Sequence, residues 1–137
     1  MNSPEPELQP KGHMNKPGKR GLTRLLAATR HSRDGLVSAW RSEEAFRTEA
    51  VLALAFLPLA FAVGDGLAHQ LVLVVCCALV ILAEILNTAI ESVVDRIGPE
   101  HDPLSGQAKD LGSAAVLVSL LLFALAWGLS LWQWWQG

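Results

Sequence analysis

Apolar positions along this chain fall in three blocks. The first is AVLALAFLPLAFAVG, Ala50 to Gly64; the second runs from Gly66 to about Ile90, interrupted by His69 and Glu84; the third, Leu111 to Gly137, has no formally charged side chain. A helix rises about 1.5 Å per residue, so about 20 residues cross a hydrocarbon core. The second and third blocks exceed that length, and the first reaches it by extending back to Thr48 or Phe46. The first block begins too late for a secretory signal, and no small-x-small cleavage site follows it cleanly, so it reads as a retained helix. The pattern predicts membrane helices at about 49–65, 66–95 and 108–134. Pro58 lies inside the first and predicts a kink, which membrane helices tolerate.

Ahead of these blocks the period changes. Leu22, Leu25, Leu26 and Thr29 recur at three and four, as do Leu36, Val37 and Trp40, with Phe46 later; Arg24, Arg30, Arg33, Arg41 and Arg47 lie between them. An apolar stripe with a basic opposite face predicts an amphipathic helix lying in the membrane surface over 21–48, with Gly35 a place to bend or divide it. Residues 1–20 are polar and rich in Pro and Gly and predict a disordered tail near anionic headgroups. The fold class expected is an all-α membrane protein: one surface helix and a 49–137 domain of three transmembrane helices.

Composition agrees. The chain has 137 residues, one domain by length, and 51% of them are hydrophobic and gathered in blocks. Nine of the eleven Lys and Arg residues lie between Lys11 and Arg47, and the connection Gly64–His69 has none. Positive loops stay in the cytoplasm. The N-terminus is therefore expected inside, Gly64–His69 outside, Glu91–Asp110 inside and the C-terminus outside. Trp132, Trp134 and Trp135 then fall at the outer interface. Cys76 and Cys77 are adjacent, poor disulfide partners, and read as apolar filler. No nucleic-acid partner is expected.

One feature resists this apolar logic. Glu84, Asn87, Glu91 and Asp95 are spaced three, four and four, which stacks them on one helix face. Glu84 and Glu91 lie two turns, about 10.5 Å, apart. A charge in the hydrocarbon costs roughly 2.5–3.5 kcal/mol on insertion scales, so a polar stripe there marks a functional face or a packed interface. The third block opens with AKDLGSAAV, Ala108 to Val116. Lys109 and Asp110 mark its polar mouth, and Gly112 and Ala115 read as small residues for close helix packing. Carboxylates, a lysine, arginines and a serine near a membrane surface suit phosphoryl transfer, with Mg2+ on oxygen ligands. Nucleotide signatures such as GxxxxGK[ST] and GxGxxG are absent. On the residues alone, a proton or ion pathway explains the buried carboxylates equally well.

AEILNTAIESVVDRIG, residues 83–98, and LSGQAKDLGSAAV, residues 104–116, resemble the bacterial integral-membrane diacylglycerol kinase family. The likeness extends back through GLTRLLAATRHSRDGLVSAWRSEEAFRTE, so it covers roughly residues 20 to 137. The resemblance implies a homotrimer in the bacterial inner membrane, with active sites between subunits at the cytoplasmic face. It implies transfer of the γ-phosphate of MgATP to diacylglycerol, giving phosphatidic acid.

By the same resemblance Glu84 is the general base, and Glu91 and Glu43 hold the metal, Glu44 being a solvated charge. Arg24, His31, Glu43, Glu91, Glu100, His101, Asp102, Lys109 and Asp110 border the nucleotide, with Asp110 orienting Lys109. Arg24, Trp40, Phe46, Arg47, Glu49, Glu84, Ser113 and Trp127 border the lipid, and Asn87 and Asp95 support. The polar tail and Pro58 are departures from the family's pattern. An undecaprenol kinase of the same fold is the nearest competing reading. A small ion- or proton-conducting subunit and a purely structural subunit are others.

Overall fold

The computed structural model describes residues 21–98 and 102–137; residues 1–20, expected as a disordered tail, lie outside the described residues. The described residues form four α-helices and no strand: α1 (Leu22–Ser42), α2 (Glu44–Val63), α3 (Leu67–Ile97) and α4 (Pro103–Gln136). The last three are each long and apolar enough to cross a membrane. Residues up to Arg33 and residues from Asp34 onward make two compact units. In the first, α1 begins after Gly21, whose φ of 64° only glycine adopts freely. Leu22, Leu25 and Leu26 are exposed there, and Thr29 Oγ1 donates to the carbonyl of Leu25.

In the second unit the helix ends differ from the apolar blocks, because caps and turns set them. Gly35 lies inside α1 and does not divide it. The break is at Glu43, extended at φ −109° and ψ 118°. Glu43 N–H still donates to Ala39 O, and Arg47 N–H donates to Glu43 O, so a single residue makes the elbow from α1 to α2. Arg47 secures it, donating from Nη1 to the carbonyls of Trp40 at 3.0 Å and Arg41 at 3.4 Å. These are end-of-helix carbonyls with no intrahelical partner, and a cation suits that helix pole. α2 runs on through Pro58. Gly64–Gly66 turns the chain into α3, with Gly66 at φ 83°.

α3 buries Leu73, Cys76, Cys77, Val80 and Glu84, steps of three and four that define one face. That face packs mainly on α4 and then on α2, while α2 and α4 touch little. The core holds Ala60, Leu73, Cys77 and Trp127, with Phe56 and Phe123 against them. Phe56 meets Trp127 edge-on at 4.7 Å and Phe123 at 5.0 Å. Small residues let α4 approach α3: Gly112, Ser119 and Ser130 are its other buried positions. Ser119 and Ser130 satisfy their hydroxyls on their own helix, at Val116 O and Ala126 O. Ala115, expected in helix packing, is exposed. With Ala114 it floors an apolar groove walled by Leu79, Leu86, Leu111 and Leu122. Many leucines of α2, α3 and α4 face outward, as lipid-facing side chains do.

Candidate active site

Two successive ties draw the polar stripe of α3 against α4. Gly112 lets Asn87 in: a Cβ at Gly112 would collide with Asn87 Oδ1. About two turns further along α3, Lys109 Nζ donates to Asp95 Oδ1 at 2.8 Å. Asn87 in turn donates from Nδ2 to Glu91 Oε1 at 3.2 Å, the i to i+4 contact that the spacing allows. Asn87 therefore serves Glu91 and not Glu84. Asp95, and not Asp110, holds the Lys109 ammonium, because Asp95 lies opposite Lys109 across the two antiparallel helices. Asp110 is exposed.

Glu84 is 5% exposed. Its carboxylate is within electrostatic reach of Glu91 on its own helix and of Glu43 at the elbow; Glu49 of α2 interacts with Glu84 in turn. Glu49 Oε2 is buried with no hydrogen-bond partner among the described residues. Glu91 and Glu43 thus act electrostatically on the buried Glu84, and Glu84 acts on Glu49. Glu43 makes no side-chain capping bond, so its carboxylate is not spent on the helix it starts. Among the described residues no three His, Cys, Asp or Glu side chains converge to hold a metal alone.

A cleft of about 680 Å3 opens between the end of α3 and the start of α4. Asp95, Gly98, Asp102, Gly106, Lys109 and Asp110 line it. Its size lies within the range of about 300–1,000 Å3 typical of ligand pockets. Asp102 is the N-cap of α4, its Oδ1 accepting from Leu104 N–H at 2.7 Å and Ser105 N–H at 3.4 Å, with Pro103 at the first helical position. The Asp-Pro pair is a helix-start signal, and Asp102 both caps α4 and lines the cleft. Gly106 and Gln107 also border the cleft. Only their place inside LSGQAKD pointed to them.

The other expected residues scatter. Trp40 and Ser113 are exposed, and Phe46 is buried. Trp127 is 2% exposed, enclosed by Phe56 and Phe123, so within the chain it packs the core. Arg47 spends its guanidinium on the α1 terminus. Arg24 and His31 are exposed on α1 in the first unit. Glu100 and His101 lie outside the described residues. The Glu49–Glu84 proximity was missed because the two sit on different helices, which no period relates.

Comparison with known proteins gives a consistent picture. The prokaryotic diacylglycerol kinase family matches residues 30–131. A diacylglycerol kinase of Haemophilus influenzae is 44% identical over 108 residues, 79% of this chain and 92% of the relative. One of Escherichia coli K12 is 44% identical over 113 residues, 82% of this chain and 93% of the relative. One of Pseudomonas aeruginosa is 40% identical over 110 residues, covering 80% and 89%.

Proposed function

Because the chain belongs to the prokaryotic diacylglycerol kinase family and is a multi-pass bacterial membrane protein, we propose that it phosphorylates diacylglycerol. The γ-phosphate of ATP passes to the lipid hydroxyl, giving phosphatidic acid and ADP. The observation that carries this is the buried Glu84, within electrostatic reach of Glu91 and Glu43, with Lys109 lining the cleft at the end of α3.

Glu84 accepts the hydroxyl proton as the new O–P bond forms. Its depth suits the acceptor, since diacylglycerol keeps its hydroxyl at the interface and its chains in the hydrocarbon. A positioned general base contributes typically 10²–10⁴-fold. Glu91, steered by Asn87, and Glu43, held out at the elbow, would hold Mg2+. Bound there, the ion would supply charge neutralisation to the transferring phosphate. Lys109 rests on Asp95, an exposed partner it can exchange for a phosphate. Asp102 and Asp110 border the nucleotide; for Arg24, His31, Glu100 and His101 a nucleotide role rests on the family resemblance alone. Trp40, Glu49 and Ser113 face the lipid, and Arg47 holds the elbow beside Trp40.

The working unit is a homotrimer with its sites open to the cytoplasm, and the exposed groove beside Ala114 and Ala115 supports burial against another copy. The domain divides as tail 1–20, surface helix 21–48 and kinase domain 49–137.

The test is labelled-phosphate transfer from MgATP in mixed micelles, with diacylglycerol and undecaprenol side by side and Glu84→Gln as control. Label in phosphatidic acid, reduced at least 100-fold in the variant, supports the reading. Label mainly in undecaprenyl phosphate keeps the mechanism and changes the acceptor. No label in either, from an intact assembly, overturns it.

A further inference from the structure

The cleft between α3 and α4 offers a nucleotide one cation, and that cation already has a partner. Among the described residues Lys109 is the only Lys or Arg lining the cleft, against Asp95, Asp102 and Asp110. Asp102 is spent on capping α4 through its Oδ1. The Lys109 ammonium lies 2.8 Å from Asp95 Oδ1, the only ion pair among the described residues. The pair spans two helices, yet both side chains stand in water, Lys109 40% exposed and Asp95 68%. Surface pairs of this kind add little to stability, because water screens the attraction and two side chains must be held still. α3 and α4 are joined instead by the buried core of Leu73, Cys77 and Trp127.

The pair is therefore a dock rather than a staple. An ammonium has three donors, and Lys109 spends one of them on Asp95. Its flexible four-carbon stem carries a compact charge that can change partners. Asp95 and Glu91 stand one turn, about 6 Å, apart on one face of α3. Lys109 is within electrostatic reach of both. Phosphates held near Glu91 would lie on that side of the dock, so the ammonium has little distance to travel. A polyphosphate presents several charged oxygens and out-competes a single carboxylate for it.

Resting on the lipid-kinase reading, we propose that Asp95 is a positioning residue that limits how tightly the nucleotide is held. It parks Lys109 on the cleft wall, competes with the phosphates for the ammonium and takes it back as ADP leaves. Binding must first free the ammonium, so the apparent affinity is reduced by the fraction of time that Lys109 is undocked. The same competition acts on ATP and on ADP. It acts more strongly on ADP, which has lost the γ-phosphate and offers the ammonium less charge. Asp95 thereby favours discharge of the product. A staple has the opposite consequence: removing Asp95 would let Lys109 wander and weaken binding.

Titration of the full chain in micelles with the magnesium complex of a non-hydrolysable ATP analogue, and separately with ADP, measures Kd without turnover. Asp95→Asn keeps the shape and removes the charge. It should tighten both ligands by about threefold to fivefold, the scale of a surface ion pair, and leave the thermal midpoint nearly unchanged. Asp95→Glu, which keeps a carboxylate, should stay near the wild type. In a Lys109→Met background there is no ammonium to park, and Asp95→Asn should change Kd by less than about twofold. Weaker or unchanged binding in Asp95→Asn overturns the proposal, whatever the double variant does. An equal gain in both backgrounds also overturns it, since bare repulsion between Asp95 and phosphate would give that. A wild type that binds neither ligand overturns the kinase reading itself; one that binds, with Asp95→Asn no tighter, overturns only the dock.

Discussion

Single atoms decide how the carboxylates are aimed. Asn87 Oδ1 is buried without a partner, pressed into the space that Gly112 leaves, while its amide holds Glu91. Adding a methyl at Gly112 pushes on the end of a movable side chain and not on backbone, so the strain is relieved by turning Asn87. Gly112→Ala should therefore cost only about 1–3 kcal/mol of stability yet reduce phosphoryl transfer roughly tenfold, the scale of losing a partner that orients a metal ligand. Gly128→Ala, on the same helix and outside the cleft, is the control, since a Cβ there meets nothing within 4 Å. Thermal midpoints and steady-state rates on the pair check this. Equal rates in the two variants would exclude a positioning role for Gly112. Sequence spacing made the Asn87–Glu91 contact legible, because i and i+4 meet on any helix. The Asn87–Gly112 contact was not legible, since it depends on the register between two helices.

At the scale of the element, the helix ends matter more than the apolar blocks. α4 begins at Pro103 and carries Lys109 in its second turn because Asp102 caps it. Asp102→Ala should cost about 1 kcal/mol and fray that turn, raising the KM for ATP more than it lowers kcat. Thermal melts and nucleotide titrations measure both. The block reading began this helix near 108, because hydropathy registers the apolar run and not the polar turn that precedes it. The same reason put the first membrane helix at 49, whereas α2 starts at Glu44. Backbone hydrogen bonding carries a helix through polar residues once the elbow at Glu43 has set its direction.

For the whole molecule, one aromatic cluster clamps the second unit. Phe56 of α2 and Phe123 and Trp127 of α4 pack together around α3's buried Leu73 and Cys77. Trp127→Ala should cost about 3–5 kcal/mol and lower the thermal midpoint, whereas a surface tryptophan such as Trp135, 82% exposed, should tolerate alanine with little change in midpoint. Comparable losses in both would show that the cluster is not the core. The sequence by itself determined the helical class, the three membrane-length segments and the one-faced polar stripe, because each follows from periodicity within a single helix and from the cost of charge in hydrocarbon. Only the tertiary structure decided that Trp127 is core, that Lys109 rests on Asp95 and that Glu49 comes beside Glu84. Those pairs join different helices, and their meeting depends on how small residues and turns set one helix against the next.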